Sequence, residues 1–119
     1  MASENHTIAK YQYELHNQFT DGRINDNALL YLYGKDKQLL AIVAFVPDAQ
    51  ALASPEQEPE GHIAIEMHIR QLASLIDMLR NEKPVRFSWN AASNVVRIST
   101  QQEPVGEQEL KKMFRFLYI

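Results

Sequence analysis

Three side chains near the middle of the chain have the type and spacing of metal ligands. His62, Glu66 and His68 share one face of a segment in which side chains alternate between two faces. Zinc needs three or four ligands and usually a second shell, and no further histidine cluster is present. The absence of cysteine excludes thiolate ligands and a thiol nucleophile. We therefore interpret these residues as the solvated face of a sheet and predict no metal and no cofactor.

Known catalytic motifs are missing from the sequence. It contains no phosphate-binding loop, dinucleotide fingerprint, nucleophile elbow or zinc-protease helix. The four glycines are scattered at turns or element boundaries, and the serines lie near no obvious base. We predict no catalytic residue, although a triad or an acid pair assembled only in space stays open.

Cations and aromatic residues occur together in the last third of the chain. Lys83, Arg86 and Arg97 surround a segment that also carries Phe87 and Trp89. A cationic groove with aromatic side chains on which bases stack is a common surface for single-stranded nucleic acid. The alternative, favoured by the hairpin register predicted below, is that the aromatic residues are core and the arginines lie on a solvated face. Lys83, Arg86 and Arg97 are the candidate nucleic-acid-binding residues.

The bulk composition is that of one globular domain. The chain has 119 residues, 45% hydrophobic and 23% charged, which is enough to form a core without disulfides. Its net charge of −3 lacks the strong basic excess of a dedicated duplex-DNA binder. The sequence shows no secretory signal and no apolar run long enough to span a bilayer, so we predict a cytoplasmic protein without a membrane partner.

Three strands are predicted in the first half. Residues 11–19 alternate apolar and polar side chains, as in an antiparallel strand with one wet face. Residues 28–33 and 38–46 flank a hairpin turn at 34–37 and are apolar on both faces. One of these faces must meet the core, and the other must meet a helix, a second sheet, a ligand or another subunit.

The third of these strands supplies candidate interface residues, because a domain of this size has few elements left to cover a second apolar face. We therefore predict self-association, most simply a homodimer. The competing prediction is that the two helices cover this face. The candidate interface residues are Leu39, Ala41, Val43 and Phe45.

The hydrophobic period changes from two to about three and a half at His68–Ile69. A fourth strand at 62–68 therefore runs directly into a helix at 69–81, which stops before Pro84. Residues 85–90 and 95–100 then form a hairpin. If Asn90 pairs with Val95, Phe87 and Trp89 face the core and the two arginines lie on the opposite side.

The full set of elements predicts a single α+β domain with an antiparallel sheet, in the order β-β-β-β-α-β-β-α. The last helix covers residues 106–119, where apolar residues recur at helical spacing. The polar residues 1–10 are predicted to be a flexible tail. Residues 47–61, rich in Pro, Ala, Gln and Glu, are predicted to be a mobile acidic loop.

The order of elements resembles that of the Whirly proteins and the single-stranded-DNA-binding transcriptional coactivators, in which four strands are followed directly by a helix. The segment that carries the resemblance is the strand at 61–68, GHIAIEMH, with the helix at 69–81. The second strand pair and residues 110–119 are similar to a shortened second half of a Whirly protein. The resemblance implies a curved sheet and dimerisation. It implies no functional residue, since the lysine-rich DNA-binding signature is missing.

The leading functional hypothesis is a non-enzymatic binding or assembly module that forms a homodimer. The first alternative is a single-stranded nucleic-acid-binding protein of the transcription-regulator kind. The second is a small-ligand or enzymatic pocket under the acidic loop, which would require a cavity lined by convergent polar groups.

Overall fold

The computed structural model describes residues 3–20 and 23–100 of the chain. These residues form eight strands and one α-helix, so the predicted α+β class is confirmed. The predicted C-terminal helix at 106–119 lies outside the described residues. The elements are β1 (Ser3–Thr7), β2 (Lys10–Thr20), β3 (Arg23–Tyr33), β4 (Leu39–Val46), β5 (Glu56–Gln57), β6 (Ile63–His68), α1 (Leu72–Asn81), β7 (Val85–Asn90) and β8 (Val95–Thr100).

The strands are divided between two sheets. One has five strands in the order β2-β3-β4-β6-β5, and the other has three in the order β1-β7-β8. The prediction of an antiparallel sheet is wrong at one pair, because β4 and β6 run parallel, with Val43 opposite Ile65. Residues 47–62 connect the end of β4 to the start of β6, which lies beside the start of β4. β5 is part of this connection.

The two sheets face each other across a single hydrophobic core. The largest fully buried side chains include Leu30 and Phe45 from the five-stranded sheet and Phe87 from the three-stranded sheet. Leu75 and Ile76 of α1 join the same cluster, so the helix packs on the same face of the five-stranded sheet as the smaller sheet does. Each strand alternates between a face turned to this core and an outer face.

The predicted β7–β8 hairpin is confirmed in its register. Asn90 pairs with Val95, Trp89 with Val96 and Phe87 with Ile98. Both aromatic side chains are buried. The predicted change from strand to helix is also confirmed, since β6 ends at His68 and a 3₁₀ turn at Ile69–Gln71 leads into α1.

The N-terminal half differs from the prediction in two places. Residues 3–7, predicted to be flexible, form β1 and pair with β7. Residues 23–27, which lie before the predicted strand at 28–33, extend β3 along β2. Both segments are polar, and they are held by backbone pairing, which a hydrophobic pattern does not reveal.

The predicted acidic loop at 47–61 is attached to the sheet at several points. The backbone N–H of Ala53 donates to Glu66 Oε1 at 2.7 Å, and that of Arg70 donates to Asp48 Oδ1 at 3.0 Å. Gln57 pairs with Ile63 in β5. The segment therefore lies along the β6 edge, while its mobility stays a prediction.

Candidate binding surfaces

The outer face of the five-stranded sheet has an apolar centre, which we call the apolar face. Tyr31, Ile42 and Ala64 are paired neighbours in β3, β4 and β6 and form one row across the strands. Leu29 and Ala44 belong to the next row. All of these side chains are half-buried. Because α1 and the three-stranded sheet pack on the opposite face, neither element covers this surface. We define the apolar face as Leu29, Tyr31, Tyr33, Ile42, Ala44 and Ala64.

The two lateral edges of the apolar face carry polar side chains of different charge. Along β2 these are Lys10 and Gln12, which are exposed, and Glu14, which is half-buried; they lie in the rows of Tyr33, Tyr31 and Leu29. Along β5 the edge is acidic, and its side chains border a depression of about 470 Å³ that Ile42 and Ala44 also line. The acidic residues of this edge are Glu56, Glu58 and Glu60.

The rim charges are not neutralised within the described part of the chain. A contact of 4.0 Å joins His6 Nε2 to Glu4 Oε2 on the other sheet. Among the residues whose side chains the structure describes, 4–15 and 27–100, no ion pair involves Lys10 or the β5-edge carboxylates. These charges are available to a second molecule.

The candidate interface residues lie mainly on the other face of β4. Ala41 and Val43 have no solvent exposure and Phe45 is 1% exposed, because the smaller sheet and α1 cover them. Leu39 is half-buried beside a β-bulge, opposite Tyr33. The sequence located a strand that is apolar on both faces, but the face with room for a partner is the one that carries Ile42.

The outer face of the three-stranded sheet, which we call the polar face, is a grid of three by three residues. The rows are Ser3–Asn90–Val95, Asn5–Ser88–Arg97 and Thr7–Arg86–Ser99. Arg86 and Arg97 are diagonal neighbours in adjacent strands, at a Cα separation of about 7–8 Å. No carboxylate occupies any of the nine positions.

Neutral partners orient Arg86 on the polar face. Its Nε donates to Asn5 Oδ1 at 3.0 Å and its Nη1 donates to Thr7 Oγ1 at 3.3 Å. These bonds orient the guanidinium without cancelling its charge. Arg97 is exposed in the neighbouring strand, so the structure brings these two predicted residues together.

Lys83 and the aromatic residues do not join that face. Lys83 lies beyond the sheet, beside Ile8 and Pro84, where it lines a separate depression of about 710 Å³. Phe87 and Trp89 point into the core. The polar face can therefore contact phosphates through its arginines, but it offers no aromatic ring for base stacking.

The side chains of His62, Glu66 and His68 are not grouped as metal ligands would be. His68 Nε2 lies 2.9 Å from the carbonyl oxygen of Gln50, and Glu66 already accepts a bond from Ala53. His62 Nδ1 is buried and has no hydrogen-bond partner. Among residues 3–20 and 23–100, no three His, Asp or Glu residues are grouped so as to hold a metal ion.

A groove between α1 and β8 is the main cavity that sequence reasoning missed. It has a volume of about 710 Å³ and is walled by Leu75 and Met78 on the helix and by Val96 and Ile98 on the strand. Leu52, at its rim, is 44% exposed. The groove is mostly apolar and open, although Glu66, Arg70, Gln71 and Ser74 also line it, whereas the small-ligand hypothesis requires an enclosed cavity with convergent polar groups.

Comparisons with known proteins add no relative. We find no family model that matches the chain, no similar curated protein and no matching solved structure. In the part of the chain that the structure describes, the single α-helix is too short and too polar to cross a membrane.

Proposed function

We propose that this protein is a non-enzymatic assembly module that forms a homodimer through its apolar face. The observation that carries the proposal is the apolar centre of the outer sheet face, which the helix and the second sheet leave uncovered. An apolar centre surrounded by polar residues is the usual anatomy of a protein interface. Contiguous apolar surface of this kind on a folded domain marks an interaction site.

A second copy of the chain is the partner that fits best. A two-fold contact uses the same patch on both molecules, so the patch must complement itself. The apolar face does so, because it is apolar at the centre, acidic at Glu56 and Glu58 on the β5 edge, and carries the cation Lys10 beside Glu14 on the β2 edge.

The size of the face suggests a reversible dimer. Five strands spaced about 4.8 Å apart, with six paired rows between the central strands β4 and β6, outline a flat area of at most roughly 24 by 20 Å. A standard interface buries about 800 Å² of accessible surface on each partner. The apolar face is at or below that size, which is typical of a reversible rather than an obligate dimer.

Analytical ultracentrifugation of the full chain tests this proposal. The wild type is expected to sediment as a concentration-dependent dimer. Ile42→Lys is expected to raise Kd more than about 100-fold, because it buries two unpaired ammonium groups per dimer. The matched control is Ser88→Lys at the centre of the polar face, which should leave Kd unchanged.

Two outcomes would contradict the proposal. One is a strictly monomeric wild type at roughly millimolar concentration, which corresponds to an association too weak to be useful. The other is a dimer that Ile42→Lys leaves intact while circular dichroism shows a native fold. Coverage of the apolar face by residues 101–119 of the same chain would produce the first outcome.

Single-stranded nucleic-acid binding is the second candidate function. The observation that favours it is the pair Arg86 and Arg97 on a face without a carboxylate, with Arg86 oriented by Asn5 and Thr7. Two uncompensated guanidinium groups can each contact a phosphate. Since the neighbouring aromatic residues are buried, such binding would depend on the phosphate backbone and would vary little with sequence.

Fluorescence anisotropy with a labelled oligonucleotide at low salt tests this second function. The double variant Arg86→Ala, Arg97→Ala is expected to weaken binding about tenfold or more. The slope of log Kd against log salt concentration should fall by the amount expected for about two lost phosphate contacts. Lys83→Ala is the comparison variant, because Lys83 lies outside the polar face. Absence of binding by the wild type at low salt would exclude the function.

The resemblance to the Whirly and coactivator proteins stays a prediction, as does the cytoplasmic location. Dimerisation is the property that the resemblance and the leading proposal share. The small-ligand and enzymatic alternatives have no supporting group in the described residues beyond the open groove beside α1.

A further inference from the structure

We infer that in the dimer the two-fold axis runs parallel to the central strand β4, so that Lys10 of each copy meets Glu58 of the other. This inference rests on the proposed self-association through the apolar face. It adds the orientation of the second copy and the residues that select it.

The strand order of the sheet determines what each orientation brings together. β4 is the middle strand of the order β2-β3-β4-β6-β5. When two such faces meet about an axis parallel to β4, each β4 lies over its counterpart, β3 lies over β6, and β2 lies over β5. Facing sheets pack about 10 Å apart and nearly aligned, which keeps these strands opposite each other.

The charged ends of the two edges lie at the same level of the sheet. Lys10 pairs with Tyr33, which pairs with Leu39 at the start of β4. At the other edge, the N–H of Glu58 donates to the carbonyl of His62 at 2.8 Å. His62 immediately precedes Ile63, whose partner in β4 is Ala41. Lys10 and Glu58 therefore occupy opposite corners of one end of the face.

The next row is complementary as well. Gln12 and Glu56 belong to a row that crosses all five strands through Tyr31, Ile42 and Ala64. With the axis along β4, Gln12 of one copy faces Glu56 of the other, and an amide can donate to the carboxylate. The apolar side chains of β3 and β4 fill the centre between these polar contacts.

The perpendicular orientation brings different charges together. With the axis across the strands through the row of Ile42, β2 lies over β2, so Lys10 faces Glu14 of the second copy. β5 then lies over β5, so the Glu56 carboxylates of the two copies approach each other. These like charges on the β5 edge oppose that orientation.

Two carboxylates lie in the row of Leu29 and Ala44, Glu14 on β2 and Glu66 on β6. Glu66 already accepts the N–H of Ala53 at 2.7 Å. In the inferred dimer Glu66 faces Leu29 of the second copy, and Glu14 faces the segment that precedes β5. Neither carboxylate lies directly opposite the other.

A charge exchange tests the inference by sedimentation equilibrium on the full chain. K10E alone and E58K alone are each expected to raise the homodimer Kd about tenfold or more, since each dimer contains the contact twice. An equimolar mixture of the two variants is expected to form heterodimers with near wild-type Kd, because both contacts then join opposite charges. R80E, which reverses an exposed cation on α1 at the opposite side of the sheet, should leave Kd unchanged.

The failure of this inference can be distinguished from failure of the proposed function. If Ile42→Lys dissociates the dimer but K10E and E58K do not weaken it, the apolar face is the interface and the inferred orientation is wrong. If K10E and E58K weaken the dimer but their mixture does not recover, Lys10 and Glu58 do not contact each other. A monomeric wild type would overturn both proposals.

Discussion

The two sheets share one core but have very different outer faces. The five-stranded sheet exposes Tyr31, Ile42 and Ala44 at its centre, while the three-stranded sheet exposes Ser88 between two arginines. Water can form hydrogen bonds with the side chains of the polar face, but hydration of the apolar face is unfavourable. The core determines which residues face inward in both sheets and places no restriction on the outward residues. The difference therefore identifies where this molecule needs a partner.

The largest expected effect is a difference in folding stability between substitutions on the two faces of β4. Phe45→Ala, on the core face of β4, is expected to lower the free energy of unfolding by about 3–5 kcal/mol. Ile42→Ala, on the half-buried outer face, should cost the monomer about 1 kcal/mol and act mainly on dimerisation. Urea denaturation at low protein concentration measures both. Equal losses would mean that both faces of β4 are buried within one chain.

Exchanging Ala for Ser on one outer face and Ser for Ala on the other compares the centres of the two faces, since the two side chains differ by one hydroxyl group. Ala44→Ser places a hydroxyl in the proposed interface twice per dimer and is expected to raise Kd about tenfold. Ser88→Ala, at the centre of the polar face, should leave Kd unchanged. Isothermal dilution calorimetry measures both values. An equal effect of the two changes would remove the distinction between the faces.

The smallest expected effect concerns the orientation of Arg86 on the polar face. Asn5→Ala removes the acceptor of its Nε–H, which is 3.0 Å away and solvent-accessible. A double-mutant cycle with Arg86→Ala should give a coupling energy of about 0.5–1 kcal/mol. Zero coupling would show that Asn5 does not hold the guanidinium. The same cycle in oligonucleotide binding would show whether that orientation matters for phosphate contact.

The sequence predicts the local elements well where a hydrophobic period is clear. The register of β7 and β8 follows from alternation and a four-residue turn, and the end of β6 at His68 follows from the change of period. It does not predict β1, because Ser3–Thr7 contains no large apolar residue and its pairing partner is distant. It also does not predict the parallel pairing of β4 with β6. A parallel connection usually contains a helix, and this one does not.

The candidate surface could be predicted only in part. The alternation in residues 39–46 shows that β4 is apolar on both sides, but it does not show which side the second sheet covers. That choice depends on Phe87 and Trp89, which are distant in sequence. The sequence also does not predict that the acidic residues lie at the edge of the sheet opposite Lys10. β5 has only two residues, and it pairs only because residues 47–62 run back along the sheet.

The pairing of β1 with β7 has a consequence for the order of folding. Asn5 and Arg86 are 81 residues apart in sequence, yet they lie side by side in the three-stranded sheet. Closing so long a loop costs chain entropy before any contact compensates for it, which slows folding. During synthesis β1 leaves the ribosome before β7 and must wait for it before it can pair. The β2–β3 hairpin can form earlier, so we expect amide protons of β2 and β3 to become protected from exchange before those of β1.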